Sequence, residues 1–308
     1  MKKSMQGLFL LFLLACATPH FDPAMALIAG IVFSLLLGNP WPKETARGSK
    51  LLLQLSVAGL GFSLSLADVF YTGRSSLVYT VVGISLTLLA GIWLGRLCRV
   101  EATTSVLVTF GTAICGGSAI AAMAPVLKAR NEQIAVALAT VFTLNAVALI
   151  LFPFIGHLLN LEPDTFGIWA GLAIHDTSSV VGATSLYGAQ SLAIGTTVKL
   201  TRAIWISPLV LAAGWLRKSE PKGRIPLFIV GFLLAAGART LWPQHVALWH
   251  DVTAVARQSL VVTLFLVGSG LSREVLRQVG VRPLLQGGLL WLLVSSVTLL
   301  ALMQLGPS

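Results

Sequence analysis

Charge is what this sequence has least of. Only 10% of its 308 residues are Asp, Glu, Lys or Arg, against roughly 25% in a soluble domain. Hydrophobic residues make up 56%, and mean hydropathy is +0.87. That balance excludes a soluble globular enzyme. Cysteine is also scarce. Cys16, Cys98 and Cys115 stand far apart in apolar or membrane-edge sequence, without the paired spacing of a disulfide framework or a zinc site. No metal and no cofactor is expected. A G-x-S-x-G elbow, an H-E-x-x-H helix and a Walker A loop are missing as well. No catalytic residue is assigned and the chain is not expected to be an enzyme, with an intramembrane hydrolase kept as an alternative. Without a soluble ATP-binding module, transport would be secondary, channel-like or driven by a partner chain.

What is present is apolar sequence in runs. A helix crosses a bilayer with about 20 apolar residues. Runs bounded by charge, Gly and Pro fall near 5–18, 24–38, 50–67, 77–97, 103–126, 132–158, 165–187, 190–215, 225–238, 252–271 and 283–305. The expected fold is an all-α polytopic membrane protein with about 9–11 transmembrane segments. It forms one membrane transporter domain over residues 1–308, with repeat-like halves near 24–158 and 165–305. The first segment has a second reading. Lys2 and Lys3 before LFLLFLLACA resemble a signal peptide, and Leu13-Leu14-Ala15-Cys16 resembles a lipoprotein cleavage site.

The net charge of 21 − 11 = +10 would suggest nucleic acid in a soluble protein. Here the Lys and Arg residues sit mostly in short loops, where they set orientation, and no nucleic-acid partner is expected. Membrane lipids are the expected surroundings, with anionic headgroups a further contact for the basic loops. With a cytoplasmic N-terminus, Lys43, Arg47 and Lys50 and the pair Arg96 and Arg99 lie inside. Strict alternation would then put Lys128 and Arg130 outside and Glu162 and Asp164 inside, against the rule. Treating 103–126 and 165–187 as interrupted, re-entrant elements reverses both loops. It also keeps Arg217, Lys218, Lys222, Arg224, Arg273, Arg277 and Arg282 inside.

The chain also resembles itself. IAGIVFSLLLGNPWP before ARGSKLLLQ is echoed by IVGFLLAAGARTLWP before ARQSLVVTL, so Trp41-Pro42 answers Trp242-Pro243 and Arg47 answers Arg257. Between them, GTAICGGSAIAA resembles GLAIHDTSSVVGA, and TVFTLN from Thr140 resembles TVKLTR from Thr197. In the re-entrant topology each pair is antiparallel. Inverted repeats with interrupted helices are a transporter design, with substrate bound where the breaks meet.

The candidate binding residues follow from that plan. Cys115, Gly116, Gly117 and Ser118 stand inside an apolar run, where paired glycines open the helix and bare main-chain N–H groups. Close packing through small residues is the competing reading. Lys199 and Arg202 are three residues apart, hence on one helix face. At a helix centre each costs about 2.5–3.5 kcal/mol, so they need a cavity, a counter-ion or an anionic substrate. His175 and Asp176, followed by Thr177, Ser178 and Ser179, are candidates for carrying a coupled proton or for a structural pair. Asn145, which aligns with Arg202, is a ligand or a polar helix contact.

At these residues the sequence resembles the sulfate-exporter family of bacterial inner-membrane proteins, a YeiH-like group of conserved hypothetical membrane proteins. The resemblance covers nearly the whole chain and rests on GLGFSLSLADV at 59–69, CGGSAIAA at 115–122 and VKLTR at 198–202 with Pro208 downstream. Where that family suggests HEVAQVVAAG, this chain has HDTSSVVGAT at 175–184, which keeps the His and an acid. The resemblance implies an inverted-repeat transporter of the bacterial inner membrane, related in plan to bile-acid symporters and cation/proton antiporters, whose interrupted helices cross at the midplane. The expected function is secondary transport of a small inorganic or organic anion, sulfate foremost, with proton coupling. The alternatives are a cation/proton antiporter using Asp176 and a non-transporting membrane sensor or scaffold. Oligomeric state is left open, a homo-oligomer included.

Overall fold

Proline, asparagine and glycine cut the apolar runs into helices, and the computed structural model describes residues 2–216, 227–270 and 280–305. Among the described residues every regular element is helical. In order they are α1 (Lys2–Cys16), α2 (Pro23–Leu36), α3 (Pro42–Leu60), a 3-10 turn (Gly61–Ser63), α4 (Leu66–Ser75), α5 (Leu77–Leu97), α6 (Ala102–Ala113) and α7 (Gly117–Met123). There follow α8 (Asn131–Leu158), α9 (Pro163–Ala173), α10 (Thr177–Tyr187), α11 (Ala189–Ile204), α12 (Ile206–Leu216), α13 (Leu227–Leu241), α14 (Val246–Ser269) and α15 (Val281–Leu305). Asp22 starts α2 by accepting from the Met25 N–H, with Pro23 in the first helical position, and Pro42 opens α3 the same way.

Among the described residues, four helices are long and apolar enough to cross a membrane alone: Leu77–Leu97, Asn131–Leu158, Val246–Ser269 and Val281–Gln304. A fifth arises if the bent pair Pro42–Ser63 and Leu66–Ser75 is one span. The runs near 103–126, 165–187 and 190–215 are each divided instead, into α6 and α7, α9 and α10, and α11 and α12. Division is the physical reason that fewer uncut spans appear than apolar runs in the sequence. Lys43, Arg47 and Lys50 lie in α3, not in a loop, because Pro42 starts that helix and the residues after it are mostly good helix formers. The basic residues Arg217, Lys218, Lys222, Arg224, Arg273 and Arg277 lie outside the described residues.

α5 shows the packing logic of a chain solvated by lipid. Its buried face is Thr80, Ile84, Thr87, Gly91, Leu94 and Gly95, while Val78, Val82, Leu86, Leu89 and Trp93 are exposed. Lipid tails are as apolar as leucine, so large apolar side chains gain little by turning inward and small or hydroxylated ones mediate helix contact. The chain is an all-helical, multi-pass membrane protein.

The helices group into two compact units, Met1–Val69 with Pro226–Glu274 and Phe70–Ile225 with Val275–Ser308. In the first, α14 packs along α2 and α3, and α13 packs on α3. Glycine permits the α2–α14 crossing: a Cβ at Gly30 would lie 2.2 Å from the Phe265 carbonyl oxygen, and one at Gly268 would lie 2.5 Å from that of Leu27. The N-terminal helix α1 is built into this unit through Phe9, whose ring lies 5.3 Å from Phe33 and 5.1 Å from Phe265. Asn39 ties the turn before α3 to the end of α14, donating to the Ser269 carbonyl while its Oδ1 accepts from the Trp41 N–H.

The second unit gathers α5 to α12 and α15. Here α11 lies close along α9, because Gly167, Gly171 and Gly195 leave room only for main chain: a Cβ at Gly171 would stand 2.9 Å from Val198. That close approach positions the cations of α11.

Candidate functional site

The breaks between α6 and α7 and between α9 and α10 are made by main chain that leaves carbonyls free. At the end of α6, Ile114 departs from helical geometry (φ −124°, ψ −85°) and Gly116 turns to φ +64°, a value that favours glycine. The Gly116 N–H returns to the Gly111 carbonyl. The carbonyls of Ala113 and Ile114 therefore point away from their own helix. At the end of α9, Ile174 and Asp176 are extended (ψ 137° and 159°), which frees the carbonyls of Leu172 and Ile174.

Lys199 and Arg202 collect these four oxygens. The Lys199 ammonium donates to Ile114 O at 3.0 Å and to Ile174 O at 2.6 Å. Arg202 donates through Nε to Ala113 O at 2.7 Å and through Nη1 to Leu172 O. Their relative exposures are 0% and 1%. The i, i+3 spacing on α11 thus lets each cation bridge the ends of α6 and α9, where the negative ends of two helix dipoles favour positive charge. Arg202 Nη2 has no partner.

Asp176 sits across from the first break: a Cβ at Gly116 would be 2.9 Å from its own Cβ. It caps α10, with Oδ2 accepting from the N–H of Ser178 at 3.1 Å, from the N–H of Ser179 at 3.4 Å and from the Ser178 hydroxyl. Its buried Oδ1 has no partner. Asn145, midway along α8 and 3% exposed, accepts from the His175 N–H at 3.3 Å and leaves Nδ2 unpaired. The His175 ring, 1% exposed, lies against the main chain of Val141 on α8. Cys115 is buried against the Ala119 N–H, whereas Ser118 is exposed at the start of α7.

The structure therefore brings Cys115, Gly116, Asn145, His175, Asp176, Lys199 and Arg202 into one region of the second unit; Gly117 and Ser118 open α7 beside it. Among the described residues no group of His, Cys, Asp and Glu could hold a metal ion. Sequence reasoning missed the partners of the cations, since a main-chain carbonyl carries no residue signature. It also missed Gln286, whose Nε2 donates to Gly91 O, Ser105 Oγ and Thr109 Oγ1 and so joins α15 to α5 and α6. An amide inside an apolar span was its available signal.

A family model for conserved hypothetical protein 698 matches residues 6–287. The chain belongs to that family. A UPF0324 membrane protein of Geobacter sulfurreducens is 63% identical to it over 297 residues, covering 96% of each chain. Another, of Bdellovibrio bacteriovorus, is 50% identical over 94% of this chain and 91% of its own. One from Bacteroides thetaiotaomicron is 47% identical over 90% and 85%. No solved structure matches the chain.

Proposed function

We propose that this chain is a secondary transporter of a small inorganic or organic anion, sulfate being the first substrate to test, residing in the bacterial inner membrane and acting without covalent catalysis. The observation that carries the reading is Arg202: a buried guanidinium held at the meeting of two helix breaks with one N–H group left unpaired. An unpaired buried donor on a charged group is costly, and an incoming anion relieves that cost. Lys199 adds a second positive charge, and Asn145 Nδ2 a second unpaired donor. Interrupted helices meeting inside a membrane protein are the arrangement in which secondary transporters bind substrate. Alternating access then requires the anion to bind the two access states unequally.

Radiolabelled sulfate flux into proteoliposomes, with and without an imposed pH gradient, tests the reading. Saturable flux weakened at least tenfold in apparent affinity by Arg202→Lys, which keeps the charge but removes the unpaired donor, is the expected result. Sodium-dependent flux indifferent to every anion would overturn it. That outcome would support cation/proton antiport, the reading favoured by the unpaired Asp176 Oδ1.

A further inference from the structure

Asp176 does to α10 what a substrate anion would do. Its carboxylate occupies the helix N-terminus, engaging the N–H groups of Ser178 and Ser179 and the Ser178 hydroxyl. Those are donors suited to an oxyanion. Two donors anchored at the same breaks lack acceptors: Arg202 Nη2 and Asn145 Nδ2, on side chains 1% and 3% exposed. The ionisable groups facing Asp176 are Lys199 from α11 and Cys115 from the link between α6 and α7; Arg202 lies beside Cys115 and His175 precedes Asp176 in the chain. From α8, the polar neighbour at this break is Asn145.

Charge counting gives the arrangement a consequence. Lys199 and Arg202 against one carboxylate leave a single net positive charge, and neutralising Asp176 leaves two. Net charge in a poorly solvated region is expensive, so a divalent anion is matched only when Asp176 is neutral. Resting on the anion-transport reading above, we propose that the Asp176 carboxylate is a tethered competitor for the substrate. It takes a proton from water on one side, forming a carboxyl O–H, and releases the serine N–H groups to the anion. It returns the proton when the anion leaves on the other side. One proton then travels with each divalent anion, carrying one net negative charge across the membrane.

Sulfate binding to the purified full chain in detergent, measured across pH, tests this. In the native chain, sulfate affinity is expected to fall as pH rises, because the ionised carboxylate competes for the same N–H groups. Asp176→Asn keeps a good helix cap but cannot carry the charge. It is expected to bind sulfate at least tenfold tighter than the native chain at pH 7.5 and to lose the pH dependence. In proteoliposomes it should exchange sulfate for sulfate yet ignore a pH gradient. Asp176→Ser, which also caps and is neutral, is expected to behave alike and guards against a folding defect in the first variant. Native sulfate binding with either folded variant no tighter, or still pH-dependent, would overturn the competitor role and leave anion transport standing. A native chain that binds none of sulfate, sulfite, phosphate and acetate, yet transports sodium, would overturn both.

Discussion

A β-carbon at position 116 would face two penalties at once, a left-handed backbone at φ +64° and the Asp176 Cβ at 2.9 Å. Gly116→Ala is therefore expected to destabilise the folded protein by about 1–3 kcal/mol, read as a lower thermal midpoint in detergent. Gly288→Ala, where the added methyl meets nothing within 4 Å, should leave that midpoint unchanged or slightly raised. Lys199→Met removes the donor shared by Ile114 and Ile174. Leaving two buried carbonyls unpaired is expected to cost about 2–5 kcal/mol, and a midpoint equal to that of the native chain would contradict the bridging role. The thiols give a separate check. Cys16 and Cys115 are buried and Cys98, at the end of α5, is partly exposed, so maleimide should react first at Cys98 and reach the other two only after denaturation.

At the scale of elements, polar side chains and glycines decide how the helices meet. Gln286 links α15 to α5 and α6, the helix whose last carbonyls receive the two cations. Hydrogen bonds between membrane helices average about 0.6 kcal/mol with a maximum near 1.7. Gln286→Leu should accordingly lower stability by about 1–2 kcal/mol in a denaturant titration, and a neutral result would remove Gln286 as an anchor of α6. The sequence located the interruptions in 103–126 and 165–187 through their Gly, Ser and Asp content, and both breaks occur there. The run 190–215 is also divided, at Trp205 between α11 and α12, and α4 forms a separate helix after α3. Their signals are Pro208, which cannot donate to the Ile204 carbonyl four residues back, and Gly59 and Gly61 ahead of α4.

Across the whole molecule, basic residues should set the side of the membrane on which each loop lies. Lys128 and Glu162 are both exposed, at the two ends of α8. In a background without native cysteines, cysteine at 128 is expected to react with an impermeant reagent from the cytoplasmic side and cysteine at 162 from the opposite side. The reverse pattern would mean that the interrupted elements cross the membrane completely. The two compact units also cut across the sequence halves. Residues 1–69 group with residues 226–274 in one unit, while the α6–α7 and α9–α10 breaks and both cations fall in the other.

Composition and pattern alone determined that this chain is helical and lives in a membrane, because apolar length and sparse charge leave no other solvent for it. Spacing alone put Lys199 and Arg202 on one face, since three residues make nearly one helical turn. Only the tertiary structure decided what those cations touch. Their partners are carbonyls freed by two distant breaks, 85 and 25 residues from Lys199 and 89 and 30 from Arg202. Every residue carries a carbonyl, so the one that will be left unpaired is fixed by backbone geometry and the close approach of helices, and no residue type spells it.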